Sequence, residues 1–165
     1  MMLKKPIPLD NKVEIKNFDS GNQNLDTWLI KHAKQAGGSG SAKTYVVFDD
    51  DTPVGYYSLT VGQVEQSEVS KRVSHGMGNY HIPVIILARM AVSKNYQGKQ
   101  IGRGMLQDAI KRSLMVANEV GVRAIITHPI DDKAESFYKH FGFEESPLRE
   151  KQLVLLLKDA KRVLS

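Results

Sequence analysis

Apolar positions along this chain change period several times, and each change marks an element. Leu25, Trp28, Leu29, His32, Ala33 and Ala36 recur at helical spacing. Asn22 or Asn24 is placed to cap that helix. Residues 37–41 read as a flexible Gly/Ser break, 43–48 as a strand, 49–53 as a turn and 54–64 as the hairpin partner. Residues 67–75 are polar, helical or irregular, and 76–81 form a loop. Residues 84–92 are a continuous apolar run that reads as a buried strand. A helix from about 101 to 120 follows, with Leu106, Ala109, Ile110, Ala117 and Val120 as its inner face and Gly121 as its stop. The outer face is Gln107, Asp108, Lys111, Arg112 and Glu119. A strand over 123–128, a helix over 133–141, a strand over 152–157 and a short helix over 158–164 complete the pattern. A mixed sheet flanked by helices follows from this order.

The most informative turn is Gln97-Gly98-Lys99-Gln100-Ile101-Gly102-Arg103-Gly104, between the 84–92 strand and the long helix. A glycine-rich turn at a helix start presents backbone N–H groups without partners, and the helix dipole adds positive potential. Such a turn suits phosphate. It lacks the Gly-Lys-Ser/Thr ending of a P-loop, and Gly102 and Gly104 come too late for a dinucleotide fingerprint. A different pyrophosphate, such as that of coenzyme A, remains.

Composition narrows the setting. The 165 residues fit one domain, spanning 1–165, and 41% are hydrophobic, enough for a sizeable core. The absence of cysteine excludes disulfides, thiolate metal sites and a cysteine nucleophile; no metal is expected. No apolar run is long enough to cross a bilayer, and residues 1–9 lack the apolar core of a secretory signal, so a cytoplasmic protein without a membrane partner is expected. The net charge of +5 favours anionic partners.

Three side chains carry candidate chemistry. Arg89 is a charge within an apolar strand, on the face shared by Leu87 and Ala91. It must reach water or a partner: either a carboxylate such as Asp131 or Glu135, or an anionic substrate. Tyr138 is either a packing residue, beside Phe137 and Phe141, or an acid. His128 ends a strand and is either structural or a base.

The segment 87–92, Leu-Ala-Arg-Met-Ala-Val, followed by the 97–104 turn, resembles the fourth strand and acyl-CoA loop of the GNAT acetyltransferases. That loop reads Gln/Arg-x-x-Gly-x-Gly/Ala. Gln97 and Gly102 match its ends, and Gln100 stands where the middle glycine is expected. The block Asp131-x-x-Ala134-x-x-Phe137-Tyr138-x-x-Phe141-Gly142-Phe143 resembles the family's next motif, which commonly has Asn in place of Asp131. The resemblance implies an α/β (α+β) fold with a mainly antiparallel sheet splayed between strands four and five. It implies acetyl-CoA as the acetyl-donor cosubstrate, its arm paired with the backbone of Met90, Ala91 and Val92 and its pyrophosphate held by Gln97, Gly98, Lys99, Gln100, Ile101, Gly102, Arg103 and Gly104, with Asp131 nearby. It makes Tyr138 the general acid that protonates the departing thiolate.

Phe18-Asp19-Ser20-Gly21 and Leu25-Asp26-x-Trp28-Leu29 resemble the N-terminus of the GNAT toxins of bacterial toxin–antitoxin modules. This branch acetylates the α-amine of aminoacyl-tRNA and blocks translation. An α-amine, with a pKa of roughly 7.7–8.0, is partly neutral at pH 7, whereas a lysine side chain is not. The branch implies a homodimer and a small ribbon-helix-helix antitoxin through which DNA is contacted. Arg89, Lys31, Lys34, Lys71 and Arg72 become candidate tRNA contacts, as does Lys43, each weighed against an ordinary solvated surface. The other readings are a GNAT acting on a small amine or a protein N-terminus, and a non-catalytic acyl-CoA-binding subunit.

Overall fold

The computed structural model describes residues 1–164. Seven strands form one sheet in the order β1-β2-β3-β4-β5-β7-β6. They are β1 (Ile7–Pro8), β2 (Lys43–Asp49), β3 (Thr52–Val64), β4 (Ile82–Val92), β5 (Ala124–Thr127), β6 (Glu144–Glu145) and β7 (Leu153–Leu156). The pair β4–β5 is parallel, while β1–β2, β2–β3, β5–β7 and β6–β7 are antiparallel. The mixed, mainly antiparallel sheet agrees with the sequence reading. Strands β1 and β6 were not expected; each has only two residues, too few to show a period.

The helices are α1 (Gln23–Thr27), α2 (Ala33–Ser39), α3 (Lys71–Ser74), α4 (Ile101–Glu119), α5 (Asp132–His140) and α6 (Leu157–Ala160). Helices α1 and α2 are joined without a break by a π turn, Trp28–His32. Asn22 is the cap, its side chain accepting from the Leu25 N–H at 3.1 Å. The expected break at 37–41 is corrected: α2 runs through Gly37 and Gly38 and stops at Gly40, whose φ of 81° ends the helix in the left-handed region. The 49–53 turn shortens to Asp50 and Asp51, so Pro53 lies in β3 opposite Phe48, beside a register shift in β2. On α4, Leu106, Ala109 and Ile110 are buried as expected, but Val120 is 58% exposed, because the helix ends one residue before it. Met105 and Ser113 take buried positions instead.

Two compact units divide the chain, Met1–Thr60 with Ala88–Ala109, and Val61–Leu87 with Ile110 onward; β3, β4 and α4 run through both. In the first, Phe18, Leu29, Ala33, Val46, Tyr56 and Ala91 form a core between α1–α2 and the sheet. The opposite face of β3 carries Gly55 and Tyr57. A Cβ at Gly55 would lie 3.1 Å from the Met105 side chain and 3.2 Å from Ile101 Cγ2, so the first turns of α4 rest on bare backbone there. The Tyr57 hydroxyl donates to the Asp108 carboxylate, one helical turn further on.

In the second unit, Val64, Val69, Val73, Ile82, Val84, Ala124, Ile126, Val154 and Leu156 form one core. The Ser146 hydroxyl donates to the Glu68 carbonyl, and Arg149 pairs with the buried Glu68 carboxylate, which ties the loop before β7 to the 3-10 turn after β3. Arg123 donates from Nε to the Val73 carbonyl at 2.8 Å, fixing α3.

Placing isopropyl bulk at Gly55 overpacks the seat of α4. Gly55→Val is expected to lose about 1–3 kcal/mol, read as a lowered denaturant midpoint with an unchanged slope. A variant of wild-type stability would show that α4 does not depend on this close approach.

Candidate active site

Strand β4 pairs with β5 over four residues, Val84↔Ala124 to Leu87↔Thr127. Beyond that register β4 continues for five residues, from Ala88 to Val92. The Thr127 hydroxyl donates to the Leu87 carbonyl at 3.0 Å, on the last rung. The splay expected between strands four and five is therefore present as a parallel ladder that stops while one of its strands goes on, leaving Met90, Ala91 and Val92 past its end.

The 97–104 turn follows a 3-10 turn, Lys94–Tyr96. Gln97 spends its side chain on the protein: Nε2 donates to the Val92 carbonyl at 3.0 Å and to the Ser20 carbonyl at 3.1 Å. Its amide pins the turn to the end of β4, a role that the sequence motif did not reveal. Gly98 has a φ of 79° and Gln100 a φ of 67°. Gln100 thus adopts the left-handed conformation that a glycine would take, at a steric cost of about 1–2 kcal/mol. The backbone path survives the substitution, and the cost is strain. Gly104 N–H donates to the Gln100 carbonyl at 3.1 Å, closing the first turn of α4. The N–H groups of Ile101 and Gly102 precede that bond, so neither has an acceptor further back in the helix. A Cβ at Gly98 or Gly104 would meet open space, so neither glycine is demanded by packing. The Lys99 ammonium lies 5.4 Å from the centre of the Tyr96 ring, and the Tyr96 hydroxyl donates to Asp49 at 2.6 Å.

Arg89 is half-buried, its guanidinium 3.8 Å from the centre of the Trp28 ring. Burial lowers its pKa from the ordinary guanidinium value. The carboxylates considered as partners are engaged elsewhere: Asp131 caps α5, accepting from the Ala134 N–H at 2.8 Å, and Glu135 pairs with Lys139 at 3.3 Å. The internal salt bridge is therefore corrected to a cation–π contact, whose partner lies 61 positions away in sequence.

Tyr138 is only 6% exposed on α5, its ring packed against Phe137 and Phe143 at 5.2 and 5.3 Å. Burial pushes its phenol up to about 12, and the nearby Thr127 hydroxyl offsets part of that. The phenol is thus fully protonated at neutral pH and has a proton to give. His128 bonds through Nε2 to Gln152 Oε1 at 2.8 Å, at the paired ends of β5 and β7.

The basic candidates differ among themselves. Lys31 and Lys43 are exposed and Lys34 is half-buried, but Lys43 Nζ donates to the Gly37 carbonyl at 2.9 Å. Lys71 is exposed at the start of α3. Arg72 forms a two-pronged pair with Asp159, which raises its pKa and commits its charge within the protein. Among the described residues no group of three His, Cys, Asp or Glu side chains is placed to hold a metal ion, and no helix is long and apolar enough to cross a membrane.

Two outcomes follow from these geometries. Gln100→Gly removes the left-handed strain but adds chain entropy to the unfolded state, a loss of about 0.5–1 kcal/mol, so a net gain of up to about 1 kcal/mol is expected in thermal unfolding. For Tyr138 the folded pKa of about 12 lies above the unfolded value near 10. The unfolded chain loses its proton first, so stability is full below pH 10 and falls as pH rises toward 12. Denaturant midpoints between pH 9 and 11.5 should fall more steeply for the wild type than for Tyr138→Phe.

Residues 40–145 match the acetyltransferase (GNAT) domain family. The chain is 36% identical over 159 residues to a tRNA-acetylating toxin of Mycobacterium tuberculosis, covering 96% of this chain and 95% of that protein. Its fold superposes on that of AtaT complexed with acetyl-methionyl-tRNAfMet, with a TM-score of 0.89, 21% identity and 99% of each chain covered. It also superposes on a mutant AtaT toxin bound to acetyl-CoA and the C-terminus of the antitoxin AtaR, with a TM-score of 0.81, 21% identity, and 98% and 97% covered. The chain therefore belongs to the GNAT family of N-acetyltransferases.

Proposed function

We propose that this enzyme is a toxin that acetylates the free α-amine of the amino acid on a charged tRNA, so that the acetylated product no longer serves translation. The observation that carries this reading is the likeness along 159 residues to a tRNA-acetylating toxin. In this reading residues 1–165 are one catalytic domain in the cytoplasm, working as a homodimer. It is silenced by a small ribbon-helix-helix antitoxin, which brings the complex to DNA.

Acetyl-CoA is the donor. The chemistry it supplies is an activated acetyl thioester. The N–H groups at the start of α4 suit its pyrophosphate, with Lys99 and Arg103 adding positive charge beside them. The open space at Gly98 and Gly104 leaves the backbone approachable. Beyond the end of the ladder, the backbone of β4 at Met90, Ala91 and Val92, apart from the Val92 carbonyl held by Gln97, offers strand-like hydrogen bonds to an extended amide arm. Asp131, as the cap of α5, keeps the first turn of Tyr138's helix in place.

The neutral amine attacks the thioester carbonyl. A C–N bond forms, the C–S bond breaks, the Tyr138 phenol protonates the leaving sulfur, and the surplus ammonium proton passes to solvent, from which the phenolate takes a proton back. The buried Tyr138 phenol, pushed up to about 12, is a weaker acid than a thiol in water, near 8.5. Burial raises a thiolate's pKa as it raises the phenol's, which narrows that gap, and the transfer occurs as charge develops on sulfur. Arg89, Lys31, Lys34 and Lys71 supply the tRNA contacts. Arg72 is withdrawn from this set by Asp159.

Tyr138→Phe keeps the ring and its packing and removes the proton. The acetylation rate of charged tRNA is expected to fall by about 10²–10⁴-fold, with acetyl-CoA affinity unchanged by calorimetry. In the wild type the rate should rise through the α-amine pKa and show no alkaline limb from the phenol up to pH 10. Wild-type turnover by Tyr138→Phe would remove the acid. Acetylation of a small polyamine with none on any charged tRNA would replace the substrate, and acetyl-CoA binding without any turnover would leave a non-catalytic subunit.

A further inference from the structure

Arg89 and Trp28 form an arrangement that the cofactor chemistry does not use. The Arg89 guanidinium lies over the Trp28 ring at 3.8 Å. The other contacts of Trp28 include a near-parallel stack on Tyr56, 6.2 Å between centres and 12° between planes. Tyr56 is itself buried, edge-on to Phe18 at 5.6 Å, and its hydroxyl donates to the Leu25 carbonyl at 2.6 Å. Trp28 opens the π turn, whose Ala33 N–H reaches back five residues to the Trp28 carbonyl. Such turns are uncommon and cluster at functional positions. Arg89 therefore sits on a rigid platform of two stacked rings. Among the described residues it has no salt bridge and no side-chain hydrogen bond. A half-buried guanidinium with one face covered presents its N–H edge to whatever arrives from solvent, and that planar fork fits the two oxygens of a phosphate.

The position separates this edge from the 97–104 turn. Strand β3 places Tyr56 on the face that packs against α1–α2, while Gly55 and Tyr57 face Ile101, Met105 and Asp108 of α4. Within this unit the first turns of α4 and the Arg89 platform pack on opposite faces of the sheet. The cofactor's pyrophosphate would take the first, and the second is left for the acceptor.

We propose that Trp28 is a positioning residue that holds the Arg89 guanidinium as a preoriented receptor for a backbone phosphate of the acceptor RNA. The receptor rests on the substrate reading above. It assigns to a stack, rather than to surface lysines, the contact that sets the RNA in register with the acetyl group.

Trp28 is the only tryptophan of the chain, so its emission reports the platform directly. Single-stranded RNA is expected to shift that emission in the wild type, and acetyl-CoA to leave it unchanged. With labelled RNA, Arg89→Gln should weaken binding about tenfold and reduce the slope of log affinity against log salt by about 0.7, the value of one phosphate on a single strand. Trp28→Leu should reproduce both effects, and Trp28→Phe should keep most of the affinity. The double variant Trp28→Leu/Arg89→Gln should bind no more weakly than Arg89→Gln alone, because the two side chains act as one. Unchanged affinity and slope in folded Trp28→Leu, or additive losses, would overturn the proposal. Turnover of charged tRNA by the wild type judges the substrate separately. RNA binding through Arg89 without acetylation would remove that reading and leave the receptor, and acetylation with wild-type RNA binding in Arg89→Gln would do the reverse.

Discussion

The site depends on a mismatch in strand length. β4 is 11 residues long and β5 only four, and their parallel ladder ends at Leu87↔Thr127. An unpaired strand edge carries backbone donors and acceptors that must find partners. Here that edge is the one we propose for the acetyl donor. The last rung is locked by the Thr127 hydroxyl on the Leu87 carbonyl, and the same threonine lies beside the Tyr138 phenol. One residue thus marks where the ladder ends and tempers the group proposed as the acid.

The turn after β4 uses its residues in two ways. Gln97 binds the protein through its side chain and fixes the turn to the strand that precedes it. Gln100 contributes a backbone shape, accepting a left-handed φ in place of a glycine. Strain of about 1–2 kcal/mol is tolerable where the surrounding structure over-determines the loop. The loop is fixed by the Gln97 amide on one side and by the first helical bond of α4 on the other. Gly55 adds a third constraint, because the helix behind the turn rests on a strand with no side chain at the contact.

Charge is distributed with similar economy. A net charge of +5 favours anionic partners, but individual cations prove to have separate employments. Arg72 holds Asp159, Arg149 holds Glu68 and Lys139 holds Glu135 and Glu145. Arg123 clamps α3 through backbone carbonyls. What remains for an anionic partner is a subset that includes Lys31, Lys71 and Arg89, and of these only Arg89 is held on a platform of aromatic rings.

Sequence alone determined the order of the longer elements, the strand over 84–92, buried at Val84, Ile85, Leu87 and Ala91, the glycine-rich helix start and the tyrosine of α5, because each depends on local period and on residues within one or two turns. Asn22 as a cap and Leu106, Ala109 and Ile110 as buried positions were legible for the same reason. Tertiary structure decided what depends on distant partners. Arg89 meets Trp28 rather than a carboxylate, Arg72 is absorbed by Asp159 across 87 positions, and the Gln97 amide turns inward. Val120 fell outside the helix, and β1 and β6 exist only because longer strands give them an edge to pair with. A pattern of hydrophobic positions says which face of an element is buried, but a polar side chain's partner is chosen by the fold.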